Sequence, residues 1–172
     1  MTFTNPQIQT EDLPNVEDVV LKPISKSYLK IIALNGLAFY SLILGALFGL
    51  KYLIKEAPFQ NNFWYLFFGV LGLCIFSFIM SILAFKKRKY AVRGYDVIYA
   101  KGLIVHSVVT VPISRIQHVE ESRSWLARHF GLSTLKIFTA GEAGSDLSIR
   151  GLQHLEAKSI NDFISSQVDG NK

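Results

Sequence analysis

The sequence has only one cysteine, Cys74, in 172 residues, so it lacks both a disulfide framework and a thiolate metal site. We expect no secretory leader, because the first apolar run starts late, is long and is followed by no small-residue cleavage site. His118-Val-Glu120 has the first half of a deaminase signature but lacks the Pro-Cys-x-x-Cys half. The glycine-containing residues 141–145 lack the Gly-Lys-Ser/Thr ending of a phosphate loop, which favours a hairpin turn. With no nucleophile elbow either, the sequence predicts neither an enzyme nor a cofactor site.

The basic residues are unevenly distributed along the chain. The net charge is +5, and four cations are consecutive, at Lys86, Lys87, Arg88 and Lys89. From Tyr90 to the end there are nine basic and eight acidic side chains, which nearly balance. A nucleic-acid-binding domain needs Lys and Arg clustered on one folded face. We therefore expect no nucleic-acid partner.

Two long apolar runs occupy the first half of the chain. Residues 31–50 and residues 63–85 each supply about the 20 residues with which a helix crosses the hydrocarbon core. The second run is apolar on every side and ends at the four cations, as a membrane span with a cytoplasmic stop does. Because the connection between the runs is short, the two helices are predicted to be antiparallel neighbours.

The distribution of cations predicts the orientation of this helical hairpin. Positive charge resists translocation, so the more basic flanks belong on the cytoplasmic side. The N-terminal flank carries Lys22, Lys26 and Lys30, the connection carries Lys51 and Lys55, and the C-terminal flank carries the four consecutive cations and Arg93. We expect both termini in the cytoplasm and the connection outside.

Small residues in both runs offer surfaces for helix packing. Helix backbones approach closely in lipid where Gly or Ser recurs at intervals of about four residues. The candidate positions are Ser41, Gly45 and Gly49 in the first run, and Gly69, Ser77 and Ser81 in the second. They favour packing of the two helices within one hairpin, with homodimerisation through the Gly45 and Gly49 face as the alternative.

After Lys89 the pattern changes to short segments rich in Val, Ile, Tyr and Thr, separated by turn residues. The predicted strands are residues 90–92, 96–100, 103–111, 115–120, 135–139 and 147–150. Residues 124–130 favour a helix of one or two turns, and residues 152–168 favour an amphipathic helix. A sheet followed by one amphipathic helix buries the apolar stripe of that helix, which predicts a compact α+β unit.

Several segments of this unit resemble one protein family. They are Tyr90-Ala-Val-Arg, Gly102-Leu-Ile-Val, Val111-Pro-Ile-Ser-Arg-Ile-Gln-His-Val119, Ser124-Trp-Leu-Ala-Arg-His-Phe-Gly-Leu132, Ile137-Phe-Thr-Ala-Gly141 and Gly151-Leu. Together with the two spans, residues 31–164 are similar to the bacterial pleckstrin-homology-like (PH-like) membrane proteins of the YdbS-like type. The resemblance implies two antiparallel sheets capped by a C-terminal helix, a location in the bacterial inner membrane, and a larger PH-like membrane protein as partner. It implies no enzymatic activity, no settled ligand and no catalytic residues.

The sequence therefore predicts an α+β membrane protein: a two-helix transmembrane hairpin followed by a PH-like antiparallel β domain with a C-terminal helix. The predicted divisions are a flexible cytoplasmic arm at residues 1–29, a first span at 30–54, an external loop at 55–62, a second span at 63–85, and a cytoplasmic PH-like domain at 86–172.

Three functions are compatible with this organisation. The first is a noncatalytic adaptor, or a subunit of a cytoplasmic-membrane complex such as one for envelope stress, that binds a membrane protein or a second copy. The second is a sensor of anionic lipid headgroups, because each cation near the membrane surface contributes about 1 kcal/mol. The third is an accessory subunit of a transport system. The candidate headgroup-facing residues are Lys86, Lys87, Arg88, Lys89, Arg115, Arg123 and Arg128.

Overall fold

The computed structural model describes residues 19–139 and 147–170. The predicted hairpin turn at residues 141–145 lies outside these residues, as does most of the predicted flexible arm. The described residues contain two long helices, two shorter helices, and seven strands arranged in two sheets.

The two apolar runs form an antiparallel pair of helices. Helix α1 spans Tyr28–Leu53 and helix α2 spans Ala57–Lys86. At 1.5 Å per residue, α1 is about 39 Å long and α2 about 45 Å, both more than the roughly 30 Å hydrocarbon core. Helix α2 begins at Ala57 rather than at residue 63. Pro58 lies in its first turn, where a proline is compatible with a helix. Most of the predicted external loop is therefore helical.

The two helices contact each other through aromatic and hydroxyl side chains. The Tyr40 hydroxyl donates to Ser77 Oγ at 2.9 Å, and the rings of Phe48 and Phe63 meet edge to face, with their centroids 6.1 Å apart. A Cβ built on Gly36 would lie 3.2 Å from the ring of Phe78, so these helices are in close contact there. The predicted hairpin is confirmed.

Three of the six predicted small-residue positions, all of them glycines, make no close contact between the two helices among the described residues. A Cβ on Gly45, Gly49 or Gly69 would meet no atom within 4 Å among the described residues. The Ser41 and Ser81 hydroxyls donate to carbonyls of their own helices. Aromatic rings such as those of Phe48 and Phe63 supply contacts at the seam of the hairpin, whereas these glycines have no close neighbour there among the described residues. Packing of Gly45 and Gly49 against a second copy stays a prediction.

The β domain consists of two antiparallel sheets. The first contains, in spatial order, β1 (Lys22–Pro23), β2 (Lys89–Val92), β3 (Asp96–Lys101) and β4 (Ser107–Pro112). The second contains β5 (Ile116–Ser122), β6 (Leu132–Thr139) and β7 (Leu147–Gln153). A 3-10 turn at Ile113–Arg115 joins the sheets, helix α3 (Trp125–His129) joins β5 to β6, and helix α4 (His154–Gly170) follows β7. This arrangement confirms the predicted PH-like layout.

The core of the domain lies between the two sheets and α4. Val97 of β3, Leu135 of β6, Ile149 of β7 and Ile164 of α4 are fully buried in it. Burial of such a side chain contributes about 1.5–3 kcal/mol relative to leaving it exposed. The amphipathic C-terminal helix therefore closes the domain, as its periodicity predicts.

The ends of the hairpin belong to the same core. Ile24 and Phe85 are buried in it, and the ring of Tyr28 lies beside that of Phe85, with centroids 6.1 Å apart. Strand β1, just before α1, pairs with β2, just after α2. The predicted flexible arm thus ends before Lys22, because the residues that follow are paired or buried. A shared sheet and a shared core join the hairpin to the domain.

Two glycines explain where element boundaries differ from the prediction. Gly102 has φ +114, and a Cβ there would lie 1.8 Å from the carbonyl oxygen of Val105. Residues 103–106 consequently form a turn and not the start of a strand. Gly151 has φ +85, and a Cβ there would lie 2.6 Å from Tyr28 Cγ. Strand β7 therefore passes close against α1 and includes Leu152, which the periodicity assigned to the last helix.

Candidate functional site

The candidate site lies where the hairpin meets the β domain. Lys86 ends α2, Lys87 caps it and Lys89 opens β2, and all three side chains are exposed. Arg88, between them, is half-buried and lines a cleft between the helices and the domain. The predicted run of cations is thus divided into three exposed lysines and one arginine within a cleft.

We name this feature the interfacial cleft. It has a volume of about 670 Å³ and is bounded by α1, the second half of α2, the β3–β4 turn and β7. Its helix walls carry apolar side chains, among them Ile32, Phe39 and Met80, interspersed with hydroxyl and amide side chains. Arg88 and Arg150 lie at its domain end. The cleft therefore combines a trough of mixed polarity between the helices with two cations at one end.

Arg150 is the residue of this site that the sequence interpretation missed. It lines the interfacial cleft and two adjoining cavities, one of which, of about 320 Å³, also contains Lys101 and Arg88. In the part of the chain that the structure describes, neither Arg88 nor Arg150 has a carboxylate within 4 Å. Both guanidinium groups are thus available to an anion from outside the chain.

The strand pattern holds the signal that could have found Arg150. Leu147 and Ile149 of β7 are buried, so Ser148 and Arg150 face the opposite side of the sheet. The alternation gives the face of the sheet but does not say which face lies toward the helices. That requires the contact of Gly151 with Tyr28, which is a tertiary contact.

The environment of Tyr99 shows that the two arginines act on one region. Tyr99 is buried in β3, and this burial raises the pKa of its hydroxyl. The positive charges of Arg88 and Arg150 both act in the opposite direction on the pKa of Tyr99. The two guanidinium groups therefore lie on the same side of the domain, near this hydroxyl.

An apolar tip lies beside the cleft. The β3–β4 turn carries Ile104 and Val105, whose side chains are 84% and 78% exposed. Leu103 and Ile104 of the same turn line the cleft. Large exposed apolar side chains that lie together mark surfaces that contact other proteins or a membrane.

Arg115 lies away from this site. It ends the 3-10 turn after β4, and Ile113 N of that turn donates to the carbonyl of Tyr95. Tyr95 belongs to the β2–β3 turn, at the end of the first sheet farthest along the strand from α2. The structure therefore does not bring Arg115 together with Lys86, Lys87, Arg88 and Lys89.

Arg123 and Arg128 lie near α1 but outside the cleft. Arg123 Nε donates to the carbonyl of Leu132 at 3.3 Å, which helps hold the β5–β6 connection. Arg128 is exposed on α3, whose Ala127 is buried together with Ile31 of α1. These two cations stay headgroup-facing candidates, separate from the arginine pair.

A cluster of Ser133, His154 and Glu121 contains the residue types of a hydrolase triad. Ser133 Oγ donates to Glu121 Oε1 at 2.5 Å, and His154 Nδ1 lies 2.7 Å from the same oxygen. Ser133 Oγ lies 3.4 Å from the same Nδ1, whereas a triad uses the other ring nitrogen for the nucleophile. Desolvation would raise the pKa of Glu121, but the hydrogen bonds from Ser133 and His154 hold it below its ordinary value. The cluster joins β5, β6 and the start of α4.

The residues of the half deaminase signature are engaged in the sheet. The ring of His118 stacks on that of Phe138, with centroids 4.2 Å apart, and Glu120 pairs with Lys136 at 3.1 Å. Among the described residues, no group of three or more His, Cys, Asp or Glu side chains could hold a metal ion.

The surfaces of α1 and α2 are those of lipid-facing helices. Both are long and apolar enough to cross a membrane, with mean hydropathies of 2.1 and 2.6 over their apolar windows. Only 6% of each window is buried, whereas the core helix of a soluble protein is mostly buried. The chain is a membrane protein with two candidate spans.

Comparison with known proteins agrees with this architecture. The transmembrane protein YdbS of Bacillus subtilis (strain 168) is 33% identical over 96 residues, which are 56% of this chain and 58% of that protein. The match thus spans less than two thirds of the length of that relative. No solved structure matches the chain. A sequence model described as bacterial PH domain matches residues 35–168, from the first helix to α4, and the chain belongs to this family.

Proposed function

We propose that this protein is a noncatalytic adaptor that holds its PH-like domain at the cytoplasmic face of a bacterial inner membrane and docks a membrane-protein partner there. Both termini lie in the cytoplasm, because the flanks of the hairpin are more basic than its connection. The observation that carries the proposal is the core shared by Ile24, Tyr28 and Phe85 with the β domain.

This shared core gives the domain a fixed orientation relative to the membrane. A domain on a flexible tether presents all its faces, whereas this one presents the same face to every neighbour in the bilayer. Confinement to one membrane also makes the contact with a partner effectively intramolecular, so that a weak interface suffices. Both features suit docking.

The outer edge of β4 is the docking surface that we propose. Strand β4 ends the order of the first sheet, and Val108 and Thr110 on it are exposed. An edge strand offers unpaired backbone groups to which a partner can add a strand. The strand starts at Ser107, directly after the turn that lines the interfacial cleft, so its edge is within reach of a protein in the same membrane.

Absence of catalysis is supported by the geometry of the titratable groups. The Ser133, His154 and Glu121 cluster has the wrong ring nitrogen toward the serine for nucleophilic catalysis. Among its described lining residues the cleft holds two arginines and apolar, hydroxyl and amide side chains, but no carboxylate or thiol. Such a lining can bind an anion but offers no general base.

In-cell photo-crosslinking tests the docking surface. A photoreactive amino acid at Thr110 is expected to give one discrete adduct with a membrane protein, and the same group at exposed Lys158 of α4 is the matched control. Val108→Lys places a charge on the strand edge and should abolish the Thr110 adduct. Equal adducts at both positions, or a Thr110 adduct that survives Val108→Lys, would reject strand addition at β4.

The mass of the adduct distinguishes the partner classes. A larger PH-like membrane protein would fit the adaptor, and a second copy of this chain would assign a homo-oligomer. A transport or envelope-stress protein would make this chain a subunit of that complex. The second candidate function, recognition of an anionic lipid, is favoured by a separate observation. Arg88 and Arg150 line the interfacial cleft, and neither has a carboxylate partner among the described residues.

A further inference from the structure

We propose that the interfacial cleft binds one anionic phospholipid, with its phosphate between Arg88 and Arg150 and an acyl chain along the trough between α1 and α2. This site goes beyond the adaptor function and does not depend on it. It also differs from a general attraction of Lys86, Lys87 and Lys89 to the membrane surface, because those lysines are exposed outside the cleft.

Charge complementarity selects the headgroup. Arg88 and Arg150 both lie at one end of the cleft, and Lys101 shares an adjoining cavity with them. Neither arginine is neutralised by a carboxylate of the described residues. Guanidinium groups bind phosphate oxygens through paired hydrogen bonds, so two of them favour a phosphate that carries a net negative charge in its headgroup.

The depth of the cleft matches one leaflet. Its α2 wall starts at Ser77, nine residues before the end of that helix at Lys86, which corresponds to about 14 Å. This is about half of the roughly 30 Å hydrocarbon core. A ligand that places its phosphate at the arginines therefore extends alongside Met80 and Phe39 to the depth that an acyl chain reaches.

The side chain of Asn35 supplies a third point of contact. It lines the interfacial cleft and the adjoining cavity that does not contain Lys101, and it has no hydrogen-bond partner among the described residues. An amide without a partner is costly in an apolar medium. The ester carbonyls of a phospholipid lie just below its phosphate, and one of them can accept the amide N–H of Asn35.

Two glycines place the walls of the site. Gly151 allows β7 to pass against Tyr28, and this contact positions the adjacent Arg150 beside α1. Gly102 allows the tight turn that directs Leu103 and Ile104 toward the helices. Ile104, although largely exposed, lines the cleft from this turn. The geometry of the site is thus part of the backbone fold.

Native mass spectrometry of the full-length protein in detergent tests this site, with phosphatidylglycerol and phosphatidylcholine as the two probes. The double substitution Arg88→Gln and Arg150→Gln should weaken phosphatidylglycerol binding about 30-fold, equivalent to about 2 kcal/mol. Its effect on phosphatidylcholine should be several times smaller. The matched control, Arg115→Gln with Lys158→Gln, removes the same charge outside the cleft and should change either affinity less than about twofold.

A second variant tests the acyl trough separately from the charges. Ala84→Trp fills the cleft between the helices and keeps both arginines, so it should weaken binding of long-chain phosphatidylglycerol. It should leave unchanged the binding of glycerol 3-phosphate, the soluble headgroup probe, to the arginines. The double substitution Arg88→Lys with Arg150→Lys keeps the charge and is expected to retain part of the preference for phosphatidylglycerol. This result would exclude a folding defect as the reason why the double Gln variant loses that preference.

The proposal is overturned if the double Gln variant, with the melting temperature of the wild type, keeps the wild-type preference for phosphatidylglycerol. It is also overturned if the control variant loses the preference equally, because binding is then to surface charge in general. An Ala84→Trp variant with full affinity would reject the trough. Loss of lipid binding in either cleft variant without loss of the Thr110 adduct would separate this site from partner docking.

Discussion

Gly151→Ala is the sharpest test of the junction between the hairpin and the domain. Gly151 has φ +85, and a Cβ there would lie 2.6 Å from Tyr28 Cγ and 2.8 Å from Ile24 Cγ2. The left-handed backbone costs a residue with a side chain about 1–2 kcal/mol. The forced shift of Tyr28 and Ile24 adds about 1–3 kcal/mol, as overpacking of a core does. We expect a loss of about 2–5 kcal/mol in the free energy of unfolding.

Two other glycines separate these contributions. Gly131 has φ +66 but no atom within 4 Å of its built Cβ, so Gly131→Ala carries backbone strain alone. Gly94 has neither a positive φ nor a close neighbour, so Gly94→Ala is the reference. Stability should therefore fall in the order Gly94→Ala, Gly131→Ala, Gly151→Ala. The difference in stability between Gly131→Ala and Gly151→Ala measures the contact between β7 and α1.

Scanning calorimetry of the full-length protein in detergent gives the required melting temperatures. For a domain of this size, 1 kcal/mol shifts Tm by about 4–8 °C, so Gly151→Ala should lower it by at least about 8 °C. Hydrogen exchange should also increase at residues 24–28, because Ile24, Ser25 and Tyr28 contact Gly151 of β7. If Gly151→Ala and Gly131→Ala lower Tm equally, β7 does not press on α1, and the fixed orientation of the domain is refuted.

Two further predictions concern polar contacts within the domain. Burial and a hydrogen bond to Glu156 raise the pKa of Tyr90, so the hydroxyl stays protonated and donates to Glu156 Oε1 at 2.5 Å. Tyr90→Phe should lower the free energy of unfolding by about 1–2 kcal/mol. An unchanged midpoint of chemical unfolding would contradict this. The second contact is at Glu121. Desolvation raises the pKa of Glu121, but hydrogen bonds from Ser133 and His154 outweigh this effect and hold the pKa below its ordinary value of 4.5. Because the folded pKa is the lower one, this stabilisation is present above pH 4.5 and is lost as pH falls through the folded pKa. The Tm of Glu121→Gln should accordingly lie below that of the wild type at neutral pH and converge with it in acid; a difference independent of pH would exclude the ionised carboxylate as its cause.

The parts of the fold that could be predicted are those that local patterns determine. Apolar runs of 20 residues and more predicted both helices, and β-branched alternation predicted β3 as residues 96–100 against an observed Asp96–Lys101. The predicted start of a strand at residue 103 and of the last helix at residue 152 were both wrong. The residue before the first boundary, Gly102, and before the second, Gly151, has a positive φ, and each lies in close contact with another segment, at Val105 and at Tyr28 respectively. Sequence spacing carries no information about such contacts.

The same limit applies to the candidate site. Arg88 was predicted because it belongs to a run of cations, and Arg150 was missed because it is isolated in the sequence. The lateral position of α1 against β7 brings the two together. The contacts between the two helices show the same limit, since aromatic side chains such as Phe48 and Phe63 meet across the hairpin at positions that the small-residue spacing does not indicate.

The junction has one physical consequence that links stability to function. Because Phe85 is buried in the core of the β domain and Tyr28 packs against it, a rotation of the domain relative to the hairpin would expose part of that core. Such a rotation would also move Arg150, on β7, away from Arg88, which is anchored at the end of α2. The contacts that resist rotation therefore maintain the spacing of the two arginines, and a lipid phosphate between them would in turn oppose rotation. By this linkage an anionic lipid should stabilise the orientation of the docking edge on β4.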